Sequence, residues 1–128
     1  MSDRVLSGRV WFNVYVTVKD GMLDEFTAMA NDWIAYHEKN TPEILAYEWF
    51  FTSEDQMKVQ VMELYANSEA MLDYMSRGGA DRERFMPPYP YTLDRMEVLG
   101  AVSDALRERL DSGESKPQYF GRLAGFSR

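Results

Sequence analysis

Between Val10 and Met75 the apolar residues change from every second position to every third or fourth and back, twice. The alternating stretches read as strands and the others as amphipathic helices, in the order strand, helix, strand, strand, helix. A later run, Leu93 to Val102, supplies a fourth strand. This order is the βαββαβ unit of the ferredoxin-like fold, an α+β architecture with an antiparallel sheet. The strands are apolar on both faces, which narrows the choice further. The first carries Phe12, Val14, Val16 and Val18 on one side and Trp11 and Tyr15 on the other. The second sets Ile44, Ala46 and Phe50 against Leu45, Tyr47, Trp49 and Phe51. One layer of helices covers one face only, so the second face needs another cover.

Local signals place the boundaries. Asp20 is a candidate cap for the first helix, with Asp24 and Glu25 near its positive end. Leu23, Phe26, Ala30, Trp33, Ile34 and His37 form its apolar stripe, so the only histidine falls on the inward side. Asn40-Thr41-Pro42 stops that helix, and the polar Thr52 to Gln56 turn makes the next two strands a hairpin. The second helix opens at Asn67 or Ser68, turns Ala70, Met71, Tyr74 and Met75 inward, and ends or is interrupted at Gly78-Gly79. Asp81 to Phe85 can continue a helix, whereas Met86 to Tyr91, with three prolines, reads as an ordered loop. Ser103 caps a short helix over Asp104 to Leu110, Asp111 to Lys116 is a linker, and Gln118 to Phe126 forms a last short strand. Tyr119, Phe120, Leu123 and Phe126 make that tail too apolar for free coil.

The whole chain of 128 residues, 45% apolar, reads as one domain, with a core over about 9–102 and a C-terminal extension over about 103–128. No window approaches the roughly 20 apolar residues that span a bilayer, and Ser2, Asp3 and Arg4 are not followed by a secretory signal, so the reading is cytoplasmic with no membrane partner. No cysteine and one histidine leave no metal site to assemble within one chain. A net charge of −7 repels phosphate backbones, and the third strand, Lys58 to Tyr65, lacks the aromatic signature of RNA-binding domains of the same element order. Nucleic acid is therefore excluded as a partner. Glycine-rich phosphate loops and nucleophile elbows are absent, which removes nucleotide cofactors and acyl-enzyme chemistry.

Several short segments carry a likeness: Lys19-Asp20-Gly21 before the first helix, Tyr47-Glu48-Trp49-Phe50 with Ser53-Glu54-Asp55, then Glu63-Leu64-Tyr65-Ala66 and Ala70. Over about residues 9 to 76 the chain resembles the antibiotic biosynthesis monooxygenase (ABM) domain of the dimeric α+β barrel proteins. The resemblance implies a homodimer in which two sheets close face to face into a barrel with helices outside, which would supply the missing cover. It also implies a small aromatic ligand. One branch of the family oxidises polycyclic phenols to quinones without any cofactor, because a phenolate hands an electron directly to oxygen. Such an enzyme binds a flat ring, favours its anion and admits oxygen.

Site residues follow by position from that resemblance. Asn13, six residues before Lys19, matches a functional asparagine of the haem-degrading branch; a strand asparagine satisfied by its neighbours is the alternative. Tyr74 stands where quinone-forming relatives often have a histidine, and it can donate a hydrogen bond and stack on a ring, although a phenol is a poor base at neutral pH. Arg84 and Phe85 occupy the vicinity of the haem branch's axial histidine, which argues against haem degradation by the family's route. His37 is a candidate base or a satisfied core histidine. Trp33, Tyr47, Trp49 and Met71 are candidate pocket walls, with core packing as the alternative. Glu48 and Glu63 lie on adjacent strands as a possible carboxylate pair, and Arg95, with Arg77, Arg82 and Arg84, is a candidate for drawing an anionic substrate to the pocket mouth. The expected function is a cofactor-independent monooxygenase of a phenolic small molecule, its pocket lying between sheet and helices. The alternatives are a non-catalytic binding or interaction module and a related cyclase or isomerase.

Overall fold

A computed structural model describes residues 8–77 and 87–126. Its elements are β1 (Val10–Val18), α1 (Leu23–Asn40), β2 (Ile44–Phe51), β3 (Lys58–Tyr65), α2 (Ser68–Ser76), β4 (Tyr91–Gly100), α3 (Asp104–Asp111) and β5 (Gln118–Phe120). The sheet order is β2-β3-β1-β4-β5, antiparallel throughout except that β5 runs parallel to β4. This is the expected ferredoxin-like α+β arrangement with a C-terminal helix and strand. Gly78-Gly79, Asp81 to Phe85, Arg82, Arg84 and Met86 lie outside the described residues.

Cross-strand register assigns the two faces, because directly paired residues share a side. Val14 pairs with Val61 and Val16 with Val59, on the side of Phe26 from α1. Val10, Tyr65, Met71, Val98 and Leu106 form a second cluster on that same side, under α2 and α3. The opposite face carries Trp11, Asn13 and Tyr15 of β1, paired with Leu64, Met62 and Gln60 of β3. No helix covers it among the described residues.

Helix ends differ in how they are held. Asn67 Oδ1 accepts from the Ala70 amide at 2.8 Å and Ser103 Oγ from the Leu106 amide at 3.1 Å, as the sequence predicts for both caps. Asp20 does not cap α1. The chain turns there through a Met22 N–H to Lys19 carbonyl bond, with Gly21 at a positive φ of 73°, and Met22 stands at the cap position without a side-chain bond. Buried Ser68 ties α2 to the β4–α3 connection, donating to the Ala101 carbonyl and accepting from the Ser103 amide, both at 2.9 Å.

Two further expectations are corrected. Ile44 faces the helices with Tyr47 and Trp49 instead of siding with Ala46, because Leu45 is an extra residue in the β2–β3 ladder and resets the alternation. The last strand is only three residues long: its Tyr119 packs against the core cluster under α2 and α3, whereas beyond it Leu123 and Phe126 are 98% and 77% exposed.

Candidate functional site

Alternation in β3 places Val59, Val61, Glu63 and Tyr65 on the helix side. Glu63 is the one charged residue in that inward row, and its two strand neighbours across the ladders are Phe12 and Tyr47. The Tyr65 hydroxyl donates to Glu63 Oε1 at 2.5 Å. Burial removes water from the carboxylate and raises its pKa from 4.5 to about 7, with the Tyr65 bond opposing the shift. Glu63 is thus poised between its two protonation states at neutral pH. The same burial, with Glu63 nearby, pushes the Tyr65 and Tyr47 hydroxyls well above the usual tyrosine range, so both act as neutral donors.

The Glu63 side chain lines a cavity of about 70 Å³ between sheet and α1. Its floor is Val14, Val16 and Val61, and its walls are aromatic. Trp49 is the hub: its ring centroid lies 5.8 Å from Phe26, 6.0 Å from Trp33 and 5.7 Å from Tyr47. Trp33 in turn meets Tyr91 edge-on at 6.3 Å and Tyr89 at 6.4 Å, and those two tyrosines stack at 5.2 Å. Rings held edge-to-face at these distances keep one another's orientation and leave π-faces for a flat ligand. The Trp49 N–H leans toward the Tyr47 hydroxyl, yet among the described residues no acceptor completes a hydrogen bond with this buried Nε1.

His37 is buried and sits one ring away from the cavity. Its Nδ1 is 2.8 Å from Thr41 Oγ1, and its ring meets Tyr47 at 5.3 Å and Tyr74 at 5.5 Å, both edge-on. Tyr74 stacks on Tyr65 at 6.4 Å, and so stands behind the Glu63–Tyr65 pair. The structure therefore brings Trp33, Tyr47 and Trp49 into the cavity wall and sets His37 and Tyr74 against that wall from outside. Met71 is 2% exposed in the core cluster under α2 and does not reach the cavity.

Asn13 and Arg95 lie on the far side of the sheet. Asn13 pairs with Met62 and Glu97, whereas Phe12 and Glu63 pair on the helix side, so Asn13 and Tyr74 do not share a pocket. Asn13 is 3% exposed and its Oδ1 has no partner among the described residues. The Arg95 guanidinium lies 3.8 Å from the Tyr15 ring centroid, and its Nε is 3.7 Å from Glu97, which also accepts from the Tyr15 hydroxyl at 2.8 Å. Arg77 is paired with Glu43. Glu48 pairs with Met62 and thus points away from Glu63, so the two glutamates make no carboxylate pair. No group of three or more metal-ligating side chains occurs among the described residues, and none of their helices is long and apolar enough to cross a membrane.

The importance of Glu63 was legible only as a lone carboxylate in the row Val59, Val61, Glu63, Tyr65. Reading it against Glu48 mixed two faces of the sheet.

No protein-family model matches the chain, and no curated protein does. Solved structures do. MupZ from Pseudomonas fluorescens superposes with a TM-score of 0.75 at 22% identity over 94% of each chain. A Caulobacter crescentus protein provisionally assigned as an antibiotic biosynthesis monooxygenase gives 0.52 at 23% identity, over 80% of this chain and 97% of that one. SnoaB, a cofactor-independent oxygenase from Streptomyces nogalater, gives 0.57 at 14% identity, over 75% of this chain and 95% of that one. The chain therefore has the ferredoxin-like α+β fold of the antibiotic biosynthesis monooxygenase-like proteins.

Proposed function

We propose that this protein is a cofactor-independent monooxygenase of a phenolic small molecule, with Glu63 as its proton carrier, and that it works as a homodimer. The observation that carries the reading is the half-buried Glu63 carboxyl, held by the Tyr65 hydroxyl against an aromatic cavity, where loss of water raises its pKa to about 7. A base of that strength takes a phenolic proton at neutral pH, which neither Tyr74 nor Tyr47 can do.

The steps balance as follows. The Glu63 carboxylate accepts the phenolic proton, and the phenolate passes one electron to dioxygen. The aryloxyl radical and superoxide combine at a ring carbon, and the peroxide anion recovers the proton from Glu63. The O–O bond then breaks as the ring C–H proton leaves to Glu63 and onward to the departing hydroxide. Quinone and one water result, so the substrate supplies all four electrons that reduce O2. Tyr65 holds the carboxyl in place throughout. The cavity of about 70 Å³ has room for dioxygen or about two waters at roughly 30 Å³ each. A ring enters by displacing Trp33 from its place against Tyr89 and Tyr91.

A second reading, a cyclase or isomerase on a similar ring system, is favoured by the Glu63–Tyr65 pair, which can take and return a proton with no oxygen involved. Oxygen consumption separates the two. With dihydroxynaphthalenes and anthrones as probes, the oxygenase consumes oxygen in step with quinone formation, and Glu63→Gln slows turnover by about 100-fold or more. Quinone formation that persists at full rate in Glu63→Gln would sink the assignment of Glu63. Ring closure or isomerisation under nitrogen selects the second reading, and tight binding without turnover selects a binding module.

Support for the dimer comes from the uncovered face. Phe50, paired with Gln60 on that face, is 50% exposed, and a second copy brings the apolar surface such a face calls for.

A further inference from the structure

The aromatic cavity shares two of its walls with a wider recess. Phe26 and Trp49 line both the cavity and an open groove of about 200 Å³ between α1 and the outer strand β2. Ala30 and Ile34 form the α1 side of the groove, and Phe51 and Val59 the sheet side. No charged residue among the described ones lines it. Of its two polar side chains, Thr27 already donates to the Leu23 carbonyl at 2.8 Å, and Asn31 is exposed on the helix surface. A phosphate or carboxylate finds no counter-charge here, whereas a methylene chain finds continuous apolar wall. Trp49 lines both spaces, and its buried Nε1–H, beside the Tyr47 hydroxyl, has no acceptor in full hydrogen-bond geometry among the described residues. A buried donor left unpaired is costly, and a ligand oxygen at this point removes the cost.

We infer that the substrate is a ring carrying a neutral apolar arm: the ring occupies the cavity beside Glu63, the arm lies in the α1–β2 groove, and a carbonyl or ether oxygen at their junction accepts from Trp49. This rests on the reading of the cavity as a phenol site. It adds a subsite for the arm and a donor that selects oxygenated linkers.

Equilibrium binding of four probes tests it: phenol, para-hexylphenol, para-hydroxyphenyl hexyl ketone and the ringless hexyl methyl ketone. The arm should tighten binding of the phenol by about 30-fold or more, and the carbonyl by about a further 5-fold. Ala30→Trp, which fills the groove from α1, should reduce the ratio of para-hexylphenol to phenol affinity to below about three. Phe51→Ala alters a half-exposed groove wall, so it folds even if the larger tryptophan does not, and should also lower that ratio. Trp49→Phe keeps the ring and should abolish the ketone's advantage over para-hexylphenol. A ratio near one in the unmodified protein, or a ratio indifferent to both groove variants, overturns the arm subsite while phenol binding leaves the site reading standing. If phenol does not bind but hexyl methyl ketone binds in a groove-dependent way, the ring reading fails and the proposal falls with it. If nothing binds, both are overturned.

Discussion

Replacing Glu63 with glutamine keeps the shape of the side chain and an acceptor for the Tyr65 hydroxyl, but removes the proton that the carboxyl exchanges. The consequence for stability can be worked from its pKa. In the folded protein the carboxyl holds its proton until about pH 7, whereas in the unfolded chain it releases it near 4.5. Between those values the folded state binds more protons, so stability falls as pH rises. Below about 4.5 both states are protonated and there is no penalty; above about 7 both are ionised and the penalty is complete. The difference between 4.5 and about 7 amounts to roughly 3 kcal/mol. Urea unfolding from about pH 5 to about pH 8 should show the unmodified protein losing that stability relative to Glu63→Gln, with the variant the more stable partner at the alkaline end. Comparing the two chains cancels the titration of the surface carboxylates. Parallel pH profiles would refute the assignment of a desolvated, proton-holding Glu63, and so would a difference that grows toward acid.

Three further outcomes are expected. Gly100→Ala places a Cβ 2.3 Å from the Arg9 carbonyl oxygen at a φ of 113°, so thermal unfolding should report a loss of about 2–4 kcal/mol, and an unchanged melting temperature would deny the close approach. Met62→Lys puts a charge in the centre of the uncovered sheet face and should turn the expected dimer into a folded monomer by light scattering; a dimer that survives it places the interface elsewhere. His37→Ala removes the ring from between Tyr47 and Tyr74 and should cost about 2 kcal/mol in stability, while the limb near pH 7 in kcat/KM, which belongs to Glu63, stays in place.

The sequence disclosed most of the architecture because strand alternation and helical spacing are local properties. The Asn67 and Ser103 caps were readable for the same reason: each needs only a polar side chain three residues before the amide that it meets. What failed depended on register between strands. Whether Asn13 shares a side with Glu63 or with Met62 is decided by ladder pairing, and resemblance at one position carries no information on pleat direction. The Leu45 bulge likewise leaves no mark in composition, yet it decides that Ile44 joins Tyr47. The aromatic wall was partly visible, since Trp33, Tyr47 and Trp49 stood out. Tyr89 and Tyr91 joined it only through the return of the chain from the proline-rich segment into β4.

The bulge at Leu45 also sets how this site tolerates changes of chain length. Because Leu45 is the surplus residue of its ladder, its deletion converts the bulge into a regular pair and leaves Tyr47 opposite Glu63. Removal of any residue between Tyr47 and Glu63 outside the hairpin turn does the reverse, rotating part of the aromatic wall or the carboxyl through the sheet to its other face. The site is therefore phased from the hairpin side, and the connection leaving α1 is free to lengthen or shorten by a residue. Loss of Leu45 thus keeps the pocket's inside and outside as they are, while the same loss a few positions later exchanges them.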